Sequence, residues 1–154
     1  MPLANCEVNT DFDVDVEPAD PPFRLADHRV RATRGKKILV IDDDPDLRLA
    51  LHIRLEANGY DTSFATNAAS AVRTALAEMP NLVILDIGLP DFDGYSVIKS
   101  LSAIAELADV PVIVLSGRNR FTHEKRCQDA GVKRFFEKPA DDHRLLKAIR
   151  EFLA

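Results

Sequence analysis

The stretch KILVIDDDPDLR, residues 37–48, joins two patterns that conflict unless the fold supplies a positive charge. Four apolar residues, Ile38–Ile41, form a run typical of a buried strand, and three aspartates follow at once, Asp42, Asp43 and Asp44. Two unit charges about 4 Å apart repel by roughly 4 kcal/mol at an effective dielectric constant near 20. An acidic cluster at the end of a buried strand therefore predicts a nearby cation, either a basic side chain or a bound metal ion.

Apolar runs and helical patterns alternate along the chain from residue 37 onward. The runs that predict strands are residues 38–41, 60–65, 82–85, 110–115 and 132–136. Five such strands separated by helices predict an α/β fold with a doubly wound parallel sheet, because parallel neighbours need a crossover connection. In sheets of this kind the functional crevice lies at the carboxyl ends of the strands.

The segments between the runs carry helix start and stop signals. Asp44 is a candidate N-cap, Pro45 suits the first helical position, and Asn58-Gly59 marks the end of the first helix. The other helices are predicted after Asn67, after Gly94, over 119–130 and over 141–152. Each predicted strand is thus followed by one predicted helix.

Charged or nucleophilic residues stand at the ends of four predicted strands. Asp42 and Asp43 end the first strand, Asp86 the third and Ser116 the fourth, and Lys138 follows the fifth. Because the carboxyl ends of parallel strands meet at one edge of a sheet, we expect these side chains to lie together. Lys138 and a divalent cation would supply the missing positive charge, and carboxylate oxygens are ligands that suit Mg²⁺.

Composition excludes several classes of protein. The 154 residues have a net charge of −5, which argues against a nucleic-acid-binding surface, and no apolar run approaches the ~20 residues of a membrane span. The first residues have neither the basic nor the apolar region of a secretory signal. Cys6 and Cys127 lie far apart without metal-ligand spacing, which favours reduced thiols in a cytoplasmic protein.

The N-terminal 36 residues differ from residues 37–154. The first 27 residues hold seven acidic residues and one arginine, whereas residues 28–37 hold five basic ones. Such charge blocks predict a disordered extension, residues 1–36, ahead of one folded domain, residues 37–154. An alternation of Phe12, Val14 and Val16 with aspartates leaves a short amphipathic strand as the alternative.

Residues 37–154 resemble a response-regulator receiver domain, the phosphoacceptor module of two-component signalling. The resemblance rests on the motifs ILVIDDDP, LVILDIGLPDFDGY, VIVLSG and FFEKP. It implies a flavodoxin-like, CheY-like fold with five helices around a five-stranded sheet of order 2-1-3-4-5. It also implies that Asp86 accepts a phosphoryl group from a phosphohistidine of a sensor kinase or a phosphotransfer protein.

The resemblance further implies a role for each residue at the strand ends. Asp43, Asp86 and the backbone carbonyl of Gly88 would ligate Mg²⁺, with Asp42 acting mainly through a water. Ser116 would donate a hydrogen bond to the phosphoryl group, and Lys138 would form an ion pair with it. A cis peptide is implied before Pro139.

One aromatic position is implied to report the phosphorylation state. Phe135 occupies it, although the family often has tyrosine there, and Ser116 replaces the commoner threonine. Phenylalanine at 135 lacks the hydroxyl group of tyrosine, whereas serine at 116 keeps the hydroxyl group of threonine.

The expected function is that of a stand-alone response regulator, since no output domain follows residue 154. It would bind a target through the fourth helix, fifth strand and fifth helix, or pass the phosphoryl group onward, and it could dimerise when phosphorylated. Arg118, Arg120, Lys125, Lys133 and Arg134 make that region basic. Nucleic acid and membrane are not expected partners, and the only reactions expected are the protein's own phosphorylation and dephosphorylation.

Two other functions fit parts of the sequence. A haloacid-dehalogenase-type phosphohydrolase would use Asp42 and Asp44 as nucleophile and acid–base, with Ser116 and Lys138 in its later motifs. About 117 residues leave little space for its cap domain, however, and Asp86 would have no role. A degenerate receiver that serves only as a docking module is the second alternative. The presence of both Asp42 and Asp43, together with Asp86, Ser116 and Lys138, argues against it.

Overall fold

The structure is a computed structural model that describes residues 35–88, 94–117 and 120–154, with the backbone alone for 120–124. The predictions for residues 1–34, including the disordered extension and the alternative strand, lie outside the described residues.

Five parallel strands form a single sheet with the order β2-β1-β3-β4-β5, as predicted. They are β1 (Lys37–Ile41), β2 (Asp61–Ala65), β3 (Leu82–Leu85), β4 (Val112–Ser116) and β5 (Arg134–Glu137). Ile41 at the end of β1 pairs with Ala65 on one side and Leu85 on the other. This register brings the residues that follow β1 and β3 next to each other.

Five helices alternate with the strands. They are α1 (Pro45–Ala57), α2 (Ala68–Glu78), α3 (Gly94–Ser102), α4 (Arg120–Asp129) and α5 (Asp142–Leu153). The predicted caps are present: the Asp44 carboxylate accepts from the first backbone N–H groups of α1, and Asn67 forms a capping box with Ser70. Among the described residues, no helix has both the length and the apolar character needed to cross a membrane.

Both faces of the sheet are buried, which explains why the central strands are continuous apolar runs. Leu39 and Ile41 pack with α2, α3 and α4 on one face, whereas Ile38 and Val40 pack with α1 and α5 on the other. The four residues are at most 1% exposed. The edge strands β2 and β5 are half-buried or exposed along most of their length.

The predicted boundaries were wrong by two residues at one end of three elements, and by one residue at β1, β2, α4 and α5. Val110 bonds back to Leu107 and Pro111 lacks an N–H, so β4 begins at Val112. The N–H of Val132 donates to the carbonyl of Cys127 in the turn after α4, so β5 begins later than predicted. Helix α3 ends at Ser102, two residues before Ile104, which was predicted to lie on the apolar side of this helix and which still packs against the core.

Candidate functional site

The carboxyl ends of β1, β3 and β4 and the turn after β5 hold four polar side chains in direct contact. Asp42 follows β1, Asp86 follows β3, Ser116 ends β4 and Lys138 follows β5. Asp42, Asp86 and Ser116 are the only buried polar or charged residues in the part of the chain that the structure describes. Sequence reasoning predicted this grouping.

Lys138 provides the positive charge that the acidic cluster needs. Its ammonium group lies 2.7 Å from Oδ2 of Asp42 and 3.2 Å from Oδ2 of Asp86. The backbone N–H of Lys138 donates to the carbonyl of Ser116, and the peptide bond to Pro139 is cis, as the resemblance implied. The side chain therefore bridges the ends of β1 and β3 from the other side of β4.

Asp42 is almost completely buried, and all its polar groups are hydrogen-bonded. Its Oδ1 accepts from the backbone N–H of Asp44 at 2.9 Å, and its own N–H donates to the carbonyl of Ala65. Burial raises the pKa of Asp42 above its ordinary value, and the hydrogen bond from Lys138 offsets only part of that effect. Burial alone would lower the pKa of Lys138, but the hydrogen bond and charge of Asp42 and the charge of Asp86 raise it.

Asp86 presents its carboxylate between three donors. Its Oδ1 accepts from the backbone N–H of Gly88 at 2.8 Å and from Oγ of Ser116 at 3.2 Å, while Oδ2 faces Lys138. The backbone N–H of Asp86 donates to the carbonyl of Ile41 at 2.9 Å. This bond extends the pairing of β1 and β3 by one residue. It thereby sets the distance from Asp86 to Asp42 and Asp43.

Carboxylate oxygens of Asp42, Asp43 and Asp86 all lie within 4.8 Å of one another. Three hard oxygen donors at this spacing fit Mg²⁺, which typically takes one or two carboxylates and keeps several waters. Asp43 is exposed, whereas Asp42 is 2% exposed and Asp86 is 9% exposed. For Gly88, the structure gives the N–H bond to Asp86, and metal ligation by its carbonyl stays a prediction.

Asp44 does not belong to the cluster. Its Oδ1 accepts from the backbone N–H groups of Asp46 at 3.0 Å and Leu47 at 3.4 Å, so its carboxylate is occupied as the N-cap of α1. A phosphohydrolase of the haloacid-dehalogenase type would need this group as its acid–base. The capping role therefore counts against that alternative.

Phe135 lies on β5 in register with Val114 and is half-buried against the cluster of α2, α3 and α4. Val114 precedes Ser116 by two residues, so Phe135 lies two residues before the position on β5 that pairs with Ser116. A role as a conformational reporter stays a prediction. Of the basic residues predicted near it, Arg118 and the side chain of Arg120 lie outside the described residues.

Two residues near the site were missed by sequence reasoning. Arg48, in the first turns of α1, donates from Nη1 to the backbone carbonyl of Asp42 at 2.8 Å. Gly94 packs against the loop after β3, where a Cβ would lie 2.4 Å from Cα of Ile87 and 2.9 Å from the carbonyl oxygen of Asp86. In the sequence, Arg48 appears only as a basic residue near a helix N-terminus, and Gly94 only as a glycine at the start of a helix. Neither pattern predicts which backbone group the residue contacts.

The chain matches known proteins over most of its described residues. A sequence profile described as the response regulator receiver domain matches residues 38–150. Protein PilH of Pseudomonas aeruginosa is 31% identical over 118 residues, which cover 77% of this chain and 98% of PilH. The transcriptional regulatory protein KdpE of Mycobacterium tuberculosis is 38% identical over 113 residues, which cover 73% of this chain and 49% of KdpE. The chain thus spans about half the length of several curated relatives that it matches.

Solved structures agree with the fold. The receiver domain of a sensor histidine kinase from Pseudomonas aeruginosa, with a magnesium ion coordinated in its active-site cleft, has a TM-score of 0.71 and 25% identity. That match covers 77% of this chain and 98% of that receiver domain. A CheY-like receiver domain from Methanospirillum hungatei has a TM-score of 0.72 and 27% identity, covering 77% of this chain and 93% of that one.

Proposed function

The chain belongs to the response regulator receiver domain family, and we propose that it accepts a phosphoryl group on Asp86 in two-component signalling. The observation that carries this proposal is the contact set of Asp86, whose two carboxylate oxygens face Ser116 and Lys138 beside the acidic pair. The other buried or capping carboxylates are less suited to act as nucleophile: Asp44 caps a helix, and Asp42 is only 2% exposed, against 9% for Asp86.

Phosphoryl transfer joins two anions, so the site must position the reactants and neutralise charge. An oxygen of the Asp86 carboxylate attacks phosphorus as the P–N bond of a phosphohistidine donor breaks, and the bonding electrons leave with the imidazole nitrogen. The product is an acyl phosphate that stores the signal. Ser116 and Lys138 already donate to Asp86 and can donate to the transferred oxygens after small shifts.

Asp42, Asp43 and Asp86 would hold Mg²⁺, which when bound screens the carboxylates and the incoming phosphoryl oxygens from one another. Lys138 would neutralise part of the charge of Asp42 and Asp86 while Asp86 is unphosphorylated. The donor would be a sensor histidine kinase or a histidine phosphotransfer protein. The chain would catalyse only its own phosphorylation and dephosphorylation, in the cytoplasm.

A groove between α4, β5 and α5, with a volume of about 650 Å³, is the candidate surface for a target. Lys133, Arg134, Arg144 and Lys147 line it together with three acidic residues, Glu137, Asp141 and Glu151. Phosphorylation adds about −1.5 to −2 charge and would draw Ser116 and Lys138 toward the phosphoryl group. Phe135 on β5 lines the groove, and Lys138 directly follows β5 between the lining residues Glu137 and Pro139, so this movement is a route by which phosphorylation would alter target binding.

The test is incubation with a small phosphodonor, with and without EDTA, followed by intact-mass spectrometry. Wild type should gain one phosphoryl group only when Mg²⁺ is present, and Asp86→Asn should gain none. Asp44→Asn is the matched control, because asparagine also caps helices well and the residue is outside the metal cluster. This variant should be labelled like wild type.

Two results would contradict the proposal. Equal labelling of Asp86→Asn would assign the phosphoacceptor to another residue. Steady multiple turnover of a phosphate monoester that depends on Asp44 would favour a phosphohydrolase.

A further inference from the structure

Arg48 occupies a position that helix stability does not explain. It lies four residues into α1, close to the helix N-terminus, where the helix dipole favours anions over cations. Asp46 in the same turn follows that preference, whereas Arg48 opposes it. The Arg48 side chain is nevertheless half-buried, which indicates a specific contact.

That contact joins Arg48 to the peptide group between the two aspartates. Nη1 of Arg48 donates to the carbonyl oxygen of Asp42 at 2.8 Å. This oxygen lies in the same plane as the backbone nitrogen and Cα of Asp43, because a peptide bond is planar. A donor fixed on the oxygen therefore limits rotation of the plane that carries Asp43.

Asp43 depends on its backbone more than the other two carboxylates do. Asp42 and Asp86 are held by hydrogen bonds from backbone groups, Ser116 and Lys138. The Asp43 carboxylate is exposed and has no hydrogen-bond partner among the described residues, yet its oxygen lies within 4.8 Å of the other two. The peptide plane and the φ angle of Asp43 together set the direction of its Cα–Cβ bond, and this direction decides whether its carboxylate faces the cluster.

We propose that Arg48 is a positioning residue that orients Asp43 as a magnesium ligand by holding the Asp42–Asp43 peptide. This inference rests on the magnesium site proposed above. A guanidinium group bonded to the backbone of Asp42 could instead act only as a charge that competes with the metal. The two roles predict opposite effects when the guanidinium group is removed.

The decisive variant is Arg48→Met, which keeps a long side chain and removes both the charge and the donors. If Arg48 positions Asp43, the Kd for Mg²⁺ rises about 10-fold, as is typical when a partner behind a metal ligand is removed. The Kd for Ca²⁺ rises less, about 2-fold or under, because Ca²⁺ tolerates irregular geometry and Mg²⁺ demands near-octahedral geometry. If Arg48 only contributes charge, both cations bind more tightly to the variant.

Isothermal titration calorimetry of the full chain measures both constants, and urea unfolding in EDTA checks that each variant is folded. Arg54→Met is the matched control, since Arg54 has the same charge on the same helix but pairs with Asp142 at 2.9 Å. Its Kd values should equal those of wild type. Arg48→Lys, which keeps the charge without the planar fork, should fall between wild type and Arg48→Met, and it replaces the methionine variant if that variant does not fold.

Each outcome is decisive. The positioning role is overturned if the Kd for Mg²⁺ in the Arg48 variants is unchanged or lower. It is also overturned if the Kd values for Mg²⁺ and Ca²⁺ rise by the same factor. Either result leaves the proposed function intact. Absence of Mg²⁺ binding by wild type overturns the proposed function, and this inference with it.

Discussion

Replacement of Lys138 by methionine removes the ammonium group that bridges Asp42 and Asp86. Its nitrogen lies 2.7 and 3.2 Å from the two carboxylates. At an effective dielectric constant near 20, each of these attractions amounts to about 5–6 kcal/mol before desolvation is subtracted. Desolvation of the three groups offsets most of that gain, so the net contribution of the bridge to folding is much smaller.

Leaving the two carboxylates without their cation is the dominant effect of the substitution. Removing one partner of a buried ion pair typically costs about 3–5 kcal/mol. Because the Lys138 side chain is 23% exposed, we expect a lower cost, about 2–3 kcal/mol in the free energy of unfolding without metal. Saturating Mg²⁺ should reduce the difference from wild type to under about 1 kcal/mol, since the ion takes over the neutralisation.

Urea unfolding at pH 7, in EDTA and in excess Mg²⁺, measures both quantities. In EDTA the midpoint should fall by about 0.7–3 M, given slopes of about 1–3 kcal/mol per molar urea. Lys37→Met is the control, because Lys37 pairs with Glu78 at 3.4 Å and both side chains are more than two-fifths exposed. That pair should contribute under about 1 kcal/mol. A Lys138→Met midpoint equal to that of wild type in EDTA, or the same loss with and without Mg²⁺, would refute the reasoning.

Three further predictions concern a close backbone contact, a buried tyrosine and the N-terminal extension. Gly94→Ala should lower the free energy of unfolding by about 2–3 kcal/mol in urea unfolding, because the added methyl group meets the backbone of Ile87 and Asp86; an unchanged midpoint would contradict the close packing. Burial raises the pKa of Tyr60 above 10.0, so the contribution of its neutral form to stability is complete below pH 10 and is lost as pH rises through the folded-state pKa. Between pH 9 and 11, the melting temperature of Tyr60→Phe should therefore fall less than that of wild type. Deletion of residues 1–34 should leave the Kd for Mg²⁺ and phosphoryl uptake unchanged by calorimetry and mass spectrometry, since every described residue of the site lies at or beyond Asp42; a large loss of either would assign the extension a part in the site.

The sequence was sufficient to predict the sheet, because burial on both faces makes strands read as continuous apolar runs. Ile38–Ile41 and residues 82–85 show this pattern, and both are strands in the structure. The N-caps at Asp44 and Asn67 were also predictable, since a cap is a local hydrogen bond between neighbouring residues. The grouping of Asp42, Asp86, Ser116 and Lys138 followed from parallel strands having their carboxyl ends at one edge.

Tertiary structure alone decided how those side chains share their hydrogen bonds. That Lys138 bridges Asp42 and Asp86 depends on a turn 96 residues from Asp42 in sequence, and no local pattern encodes that distance. The contact of Arg48 with the Asp42 carbonyl and the close approach of Gly94 to Ile87 are backbone contacts, which leave almost no trace in residue type. Strand ends shifted for the same reason: Val110 and Val132 are apolar enough for a strand, but their N–H groups bond to carbonyl groups three and five residues earlier in the chain, those of Leu107 and Cys127. Residue type thus determined which groups lie at the site, and the geometry of the folded backbone determined which of them form hydrogen bonds and ion pairs with one another.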